Sequence, residues 1–519
     1  MTWKRTVIAL GVALASISAA CGGSSSSGTS AKGVLRYGYD FAAQSTNFDP
    51  AKSTGDCDAI AIAPIYDTLV RRDAGGNLLP GLAKSWEATA ETLTLHLQPG
   101  VKFQDGTAYD ANAVKQGLLH NAKNTTLTDL QSIMGTIDVV DPTTVRIHLK
   151  QPKAVVMLYD FTQREGMIVA QSAFDTASTH PVGAGPFQFS SFTPGAKLAL
   201  RSYPGYFEKG RYKFGGIDLI QVSTGPPAVT ALKSGAVDLI RFEAESYAGL
   251  KKDPKVGVAV ENTGAYLQFQ FRFTPPFDNL KVRQAVLYAI NKDEINKVVQ
   301  DGLGEVANQP YAKSSPAYNP DIAGLYSYDV AKAKQLLAEA GHPNGFSFDM
   351  VIPGGNITNM ERQGSILQQQ LAAVGLKANI VRILGSDIAT GYYISGRGNA
   401  FAAEKLAEAF PPNLINGAFA KGQFVAIWSH FAPEADPPMP QLLNQITDLM
   451  NQALSASDPK QANDLTKQAS RIVMDNALDA PIAFAPQFMA YDNARVGGVV
   501  HAQTNICDPP NLTGATVKG

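Results

Sequence analysis

The chain has 519 residues, 45% of them hydrophobic and 17% charged, and its 44 Lys and Arg against 45 Asp and Glu give a net charge of −1. That is a globular composition, and the length suggests roughly three domains. The balanced charge excludes a nucleic-acid binder and a strong binder of anionic membranes, both of which need concentrated positive charge.

In chain order, Lys4 and Arg5 precede an apolar run from Val7 to Ala15 that is too short to span a bilayer and ends in small residues. This is the pattern of a secretory signal peptide over residues 1–20. Cys21 follows where lipoprotein precursors carry the cysteine that receives lipid, although Ser18 stands where Leu is usual; cleavage at Ala19 or Ala20, leaving a free thiol, is the alternative. Residues 21–32 form a Gly/Ser tether with a reach of roughly 20 Å. No later segment has the length and apolarity of a transmembrane helix, so the expectation is a soluble extracytoplasmic body held to the cell membrane by lipidated Cys21. Cys57 and Cys507 lie near opposite ends of the chain. Either they pair, which would put both ends in one domain and stabilise it by about 5 kcal/mol in the chain-entropy model, or they are two unpaired core residues.

"GVLRYGYDF" reads as a first strand, leading into an irregular stretch. In "TLTLHLQPGVKFQDG" the side chains of Leu93, Leu95 and Leu97 share one face, Pro99-Gly100 turns the chain, and Val101 and Phe103 resume the alternation before Asp105-Gly106. Asp110 caps a helix in "ANAVKQGLLHNA", and Val145, Ile147 and Leu149 mark another strand, which makes an α+β section. "KLALRSY" and "GIDLIQV" are strand candidates, and "PPAVTALKSGAVDLI" is a helix ended by Gly235 before a strand. In "PPFDNLKVRQAVLYAINKDEINKVVQDG", Val282, Ala285, Val286, Ala289 and Ile290 recur at helical spacing after Asp278 or Asn279 as N-cap. Asp329 caps a helix through "DVAKAKQLLAEAG", and "RQGSILQQQLAAVGLKANIVRI" passes from helix to strand at Gly375. Helix-then-strand alternation predicts mainly parallel sheets covered by helices.

No G-x-S-x-G elbow, phosphate loop, H-E-x-x-H or C-x-x-C is present, so no catalytic residue, metal site or cofactor is expected and the chain reads as a non-enzyme. An extracellular hydrolase, its groups assembled from distant positions, is the alternative of another class. "GLGEVA" at Gly302 to Ala307 follows a helix where a dinucleotide loop would open one, and reads as a helix-ending turn. Of the seven histidines only His430 is a candidate neighbour of a ligand. In "GAYLQFQFRF" the polar row Tyr266, Gln268, Gln270 and Arg272 opposes the apolar row Leu267, Phe269, Phe271 and Phe273. The first reading is a strand buried on its apolar side, with the polar row available to line a cleft.

"IYDTLVRRDAGGNLLPGLAKSWEA" with "TLHLQPGVKFQDGTAYDANAV" resembles the N-terminal signature of the family 5 extracellular solute-binding proteins, which serve peptide, nickel and related ABC importers. The resemblance continues in order through "PVGAGPFQF", "ALKSGAVDLI", "PPFDNLKVRQAVLYAINKDEI", "YDVAKAKQLLAEAG" and "DAPIAFAPQFMAYDNARVGG". It implies an α/β fold: a two-lobed periplasmic-binding-protein-like clamshell with an additional α+β domain. Lobe I would comprise residues 33–61, 183–268 and 484–519, the extra domain 62–182, and lobe II 269–483. The chain would cross between lobes near Gln268 to Thr274 and Ile482 to Pro486. It also implies a monomer that hands a small-molecule or short-peptide ligand to an ABC permease.

Peptide-binding members resemble G-W-x-A-D-Y-x-D-P in a tract that corresponds here to "AEKLAEAFPPNL". Glu408 falls where the first Asp pairs with the peptide's amino terminus, Pro411 replaces the second Asp, and the Trp is missing. The alternative is a solvated helix glutamate near Glu404. Other candidate ligand-binding residues are Phe41, Gln44, Tyr392, Tyr393, Arg397, Trp428, Phe484 and Gln487, aromatics for apolar walls and polar groups for orientation. The leading expectation is a receptor for a small peptide or peptide-like solute; a metal chelate, a saccharide or an aromatic compound is the alternative.

Overall fold

The computed structural model describes residues 33–40, 47–53, 58–73, 75–124, 127–354, 358–384, 387–405, 407–421, 423, 439–498, 500 and 510–519. Cys21, Phe41, Gln44, Cys57, Trp428, His430 and Cys507 lie outside them, and so do the leader, the tether and both halves of the expected cysteine pair.

The early strands are β1 (Val34–Tyr39), β2 (Val70–Arg72), β3 (Leu78–Pro80), β4 (Ala83–Ala88), β5 (Thr92–Leu97), β6 (Met134–Asp141) and β7 (Thr144–Leu149). β2 and β3 form a hairpin, and β4-β5-β7-β6 is an antiparallel sheet. Leu93, Leu95 and Leu97 of β5 are all fully buried, as their alternation predicts. The helix Ala111–Asn121 packs beside this sheet and is capped as expected, with Asp110 Oδ1 accepting from the Ala113 amide at 2.9 Å.

The remaining strands are β8 (Phe187–Thr193), β9 (Lys197–Ser202), β10 (Gly216–Gln221), β11 (Leu239–Phe242), β12 (Val256–Phe271), β13 (Glu305–Val306), β14 (Ser347–Gly354), β15 (Lys377–Leu384), β16 (Ala400–Lys405), β17 (Ala480–Asp492), β18 (Val496–Gly498) and β19 (Ala515–Val517). One large sheet runs β15-β14-β16-β12-β17-β11-β1-β10-β9-β8, with β13 also on β17. It is mixed rather than mainly parallel. β1 is parallel to β10 and β11, and β14 to β15 and β16, but the long strands β12 and β17 pair antiparallel through the middle. Alternation of helix and strand predicts the flanking parallel pairs and says nothing of the two strands between them.

Those two strands stay paired, and each has a second neighbour along part of its length. β12 pairs β17 from Val256↔Asp492 to Phe269↔Ala480, with register slips between Asn262 and Tyr266 and between Leu267 and Gln268, and Tyr266 to Phe271 also pair β16 on the other edge. The far end of β17, Phe488 to Tyr491, pairs β11. A bulge of this kind twists the strand and redirects the residues beyond it.

The stretch expected as one helix from Leu280 is two. Asn279 caps Leu280–Ala289 and Asn291 caps Lys292–Gln300, each Asn side chain accepting a backbone N–H of the first turn. Asp301 and Gly302, both with positive φ, end the second, so "GLGEVA" is a helix-ending turn leading to β13. Asp329 caps Val330–Glu339 through the Lys332 amide at 2.8 Å. "AFAAEK" is β16, not a helix, so Glu404 is a strand residue and Glu408 lies in the loop before the helix Pro411–Phe419.

Apolar packing is continuous from the β4–β7 layer into the residues around β12, β14 and β16, and Tyr159 stacked on Phe410 at 4.5 Å is part of the join. A separate core lies between β1, β8, β9, β10 and the last strands. Buried Asp238 ties this region together: it accepts from Arg36 Nε at 3.1 Å and Arg495 Nε at 3.2 Å, and the Arg495 guanidinium reaches the Val34 carbonyl. Among the described residues no helix is long and apolar enough to cross a membrane.

Candidate functional site

Strand alternation on β12 positions the first wall. Tyr266, Gln268 and Gln270 line a narrow pocket closed by Phe273, Pro310, Lys405, Leu414, Phe419 and Asp479. Arg272, the fourth member of the polar row, turns away: its Nε donates to the Gly398 carbonyl at 2.8 Å and its guanidinium lies 4.5 Å from the Tyr392 ring. The opposite row, Leu267, Phe269 and Phe271, is buried in the core.

A second recess shares Pro310 and Leu414 with the first and is lined by Arg72, Asp73, Tyr311, Ala407, Glu408 and Pro411. The β2–β3 hairpin forms one side of it. Its turn lies so close to the facing loop that a Cβ on Gly75 would sit 2.7 Å from the Ser314 carbonyl oxygen, a gap only glycine leaves. Glu408 is exposed on this recess. The Tyr311 hydroxyl donates to the Pro411 carbonyl at 2.7 Å and fixes the wall below it. Burial raises the Tyr311 hydroxyl well above the ordinary tyrosine range, and the Glu408 charge adds to that.

The floor of the first cavity is electrostatically paired. Tyr266 donates its hydroxyl to Asp479 Oδ2 at 2.6 Å, and Asp479 Oδ1 accepts the Ala480 amide at 2.9 Å. Burial lifts the Asp479 carboxyl above its usual range, against these hydrogen bonds and the nearby Lys405 and Lys292 charges. Burial also holds the Lys405 ammonium below the lysine range, opposed by Asp479 and Glu408. Behind them Lys292 is almost fully buried, donates to the Ala307 carbonyl and Asn308 Oδ1, each at 2.9 Å, and is pushed down to about 7 by that burial.

The structure thus places Glu408 on a recess that adjoins the pocket of the β12 polar row, with Pro310 and Leu414 bordering both. Tyr393 stands one layer back, donating to Gln270 Oε1 at 3.0 Å. Tyr392 is buried and stacked on Phe401 at 5.1 Å, Arg397 is exposed in the following turn, and neither lines these two cavities. Phe484 is buried edge-on to Tyr266 and borders a different recess beside Tyr311 and Asn308. Gln487 is half-buried on β17 opposite Glu261. Sequence reasoning did not single out Lys405, Asp479, Tyr311 or the β2–β3 turn. Lys405 stands near the start of the tract that holds Glu408, Asp479 opens "DAPIAFAPQF" and the β2–β3 turn lies within "RRDAGGNLL"; Tyr311 carries no signal. Among the described residues no group of three or more His, Cys, Asp or Glu side chains is placed to hold a metal ion.

The family model for bacterial extracellular solute-binding proteins, family 5 (middle), matches residues 77–441. Heme-binding protein A of Haemophilus influenzae is 31% identical over 482 residues, covering 84% of each chain. Glutathione-binding protein GsiB of Shigella boydii is 26% identical, covering 89% of this chain and 91% of its own. The structure of HbpA2 from Haemophilus parasuis superposes with a TM-score of 0.79 at 24% identity, over 94% of this chain and all of the other. The fold is therefore the two-lobed clamshell of the periplasmic binding proteins with an additional α+β domain. The chain belongs to family 5 of the bacterial extracellular solute-binding proteins, the receptors of ABC importers, and its work is capture rather than catalysis.

Proposed function

We propose that the chain captures a short peptide or peptide-like solute with a free amino group between two closing lobes and delivers it to an ABC permease. The supporting observation is Glu408, an exposed carboxylate on a recess that shares Pro310 and Leu414 with the pocket of the β12 polar row. A ligand ammonium there would form a charge-assisted hydrogen bond, contributing about 1.5–3 kcal/mol. Glutathione, for which one relative is named, is itself a tripeptide.

Lobe I is assigned to residues 33–61, 183–268 and 484–519, the extra domain to 62–182 and lobe II to 269–483. A ligand that touches both lobes binds the closed form more tightly and shifts the population toward it. A lipid on Cys21 would keep the monomeric receptor beside its permease and raise its effective concentration there.

Calorimetric titration of the mature protein with Ala-Ala-Ala, its N-acetylated form, glutathione and haemin tests this reading. Free-amine peptides should bind, and both N-acetylation and Glu408→Gln should weaken them roughly 10- to 100-fold. Haemin binding with no measurable peptide affinity would refute the peptide assignment in favour of a non-peptide solute.

A further inference from the structure

We propose that Lys405 is an anion-binding residue at the floor of the ligand recess, so that the captured solute carries a carboxylate as well as an amine. This rests on the recess being the ligand site.

Lys405 closes β16, whose pairing with Tyr266 on β12 aims it at the cavity walled by Phe273, Leu414 and Phe419. It is half-buried and has no hydrogen-bond or ion-pair partner among the described residues. Asp479 and Glu408 act on it through charge alone. Asp479 accepts from Tyr266 and from the Ala480 amide, and Lys292 spends its ammonium on Ala307 and Asn308. Glu408 lines the adjoining recess at the rim. A desolvated ammonium without a hydrogen-bonded counter-charge is costly, and the depressed pKa of Lys405 reflects that cost. An incoming carboxylate would supply the missing acceptor in a pocket whose apolar walls exclude water and strengthen the contact. Glu408 at the rim and Lys405 at the floor then read opposite ends of a zwitterion, amine outward and carboxylate inward.

The test compares free acids with blocked acids on the intact mature protein: Ala-Ala-Ala against its C-terminal amide, glutathione against its dimethyl ester, and haemin against its dimethyl ester. In wild type the free acid of a binding pair should be favoured roughly 10- to 100-fold. Lys405→Met should abolish that preference and Lys405→Arg should retain most of it, with cooperative melting, at or above the wild-type temperature for Lys405→Met, showing that both variants fold. Equal binding of free and blocked forms, or an undiminished preference in Lys405→Met, overturns the assignment. If the peptide pairs fail and the haemin pair discriminates through Lys405, the peptide reading falls while the anion site stands. If no pair binds, both fall.

Discussion

Lys292 offers a sharp test of the electrostatics beneath the site. It is 6% exposed and occupies the first turn of a helix, where the unpaired N–H groups already disfavour a cation. Burial lowers its pKa from 10.5 to about 7. The unfolded chain therefore keeps a proton up to about pH 10.4 that the folded chain releases near 7, so unfolding takes up a proton across that window and stability rises with pH. At about 1.4 kcal/mol per tenfold, the penalty is about 4 kcal/mol at pH 7 and about 2 kcal/mol at pH 9. Lys292→Met keeps the volume and removes the charge, at the loss of two hydrogen bonds from the amine to Ala307 and Asn308. Urea denaturation followed by circular dichroism between pH 7 and 9 should show wild type gaining about 2 kcal/mol on the variant. Parallel pH profiles for the two proteins would refute the claim that this lysine is folded in a largely neutral state.

Asp238→Asn should cost about 3–5 kcal/mol at pH 7, because it strands Arg36 and Arg495 around a buried neutral amide. The arginines hold the Asp238 carboxyl below its usual range, so its contribution is present above about pH 3.9 and lost as pH falls through the folded value. Denaturant midpoints of variant and wild type should converge below that point, and a constant gap down to pH 2 would contradict it. Phe410→Ala removes a ring that is 1% exposed and stacked on Tyr159, and should cost about 3–5 kcal/mol by thermal melting. Because that stack joins the β4–β7 layer to the packing around β12, small-angle scattering of the ligand-free variant should also show a larger radius of gyration. An unchanged radius would locate the loss within one unit.

Local chemistry made much of the fold legible. The β5 leucines, the Asp110 and Asp329 caps and the Gly302 stop are each decided by neighbours a few residues away. The polar row of β12 was legible for the same reason, since a strand's period of two sorts Tyr266, Gln268 and Gln270 from Phe269 and Phe271 without knowledge of what they face. Tertiary pairing overrode the rest. "AFAAEKLAEA" is rich in helix formers with Glu404 and Glu408 one turn apart, yet Ala400 to Lys405 fill a slot between β12 and β14 and become a strand. That change carries Glu408 off a helix face and into a loop on the recess. Asp479 and Lys405 meet across a long separation in sequence, and no pattern in either segment announces the other. Tyr392 suits an aromatic wall by its chemistry, but the Arg272 guanidinium and the Phe401 ring claim it for the core.

The order of strands also governs how the molecule is made. β1 finds its first neighbour only at Gly216, and β11 stays unpaired on one edge until Phe488 to Tyr491 have been synthesised. During elongation the opening strand must therefore wait as an open edge, and the central sheet is completed only by one of the final segments to emerge. A truncation ahead of residue 480 would remove the strand that seals both halves, leaving a nascent polypeptide with a gap at its centre rather than a smaller working receptor.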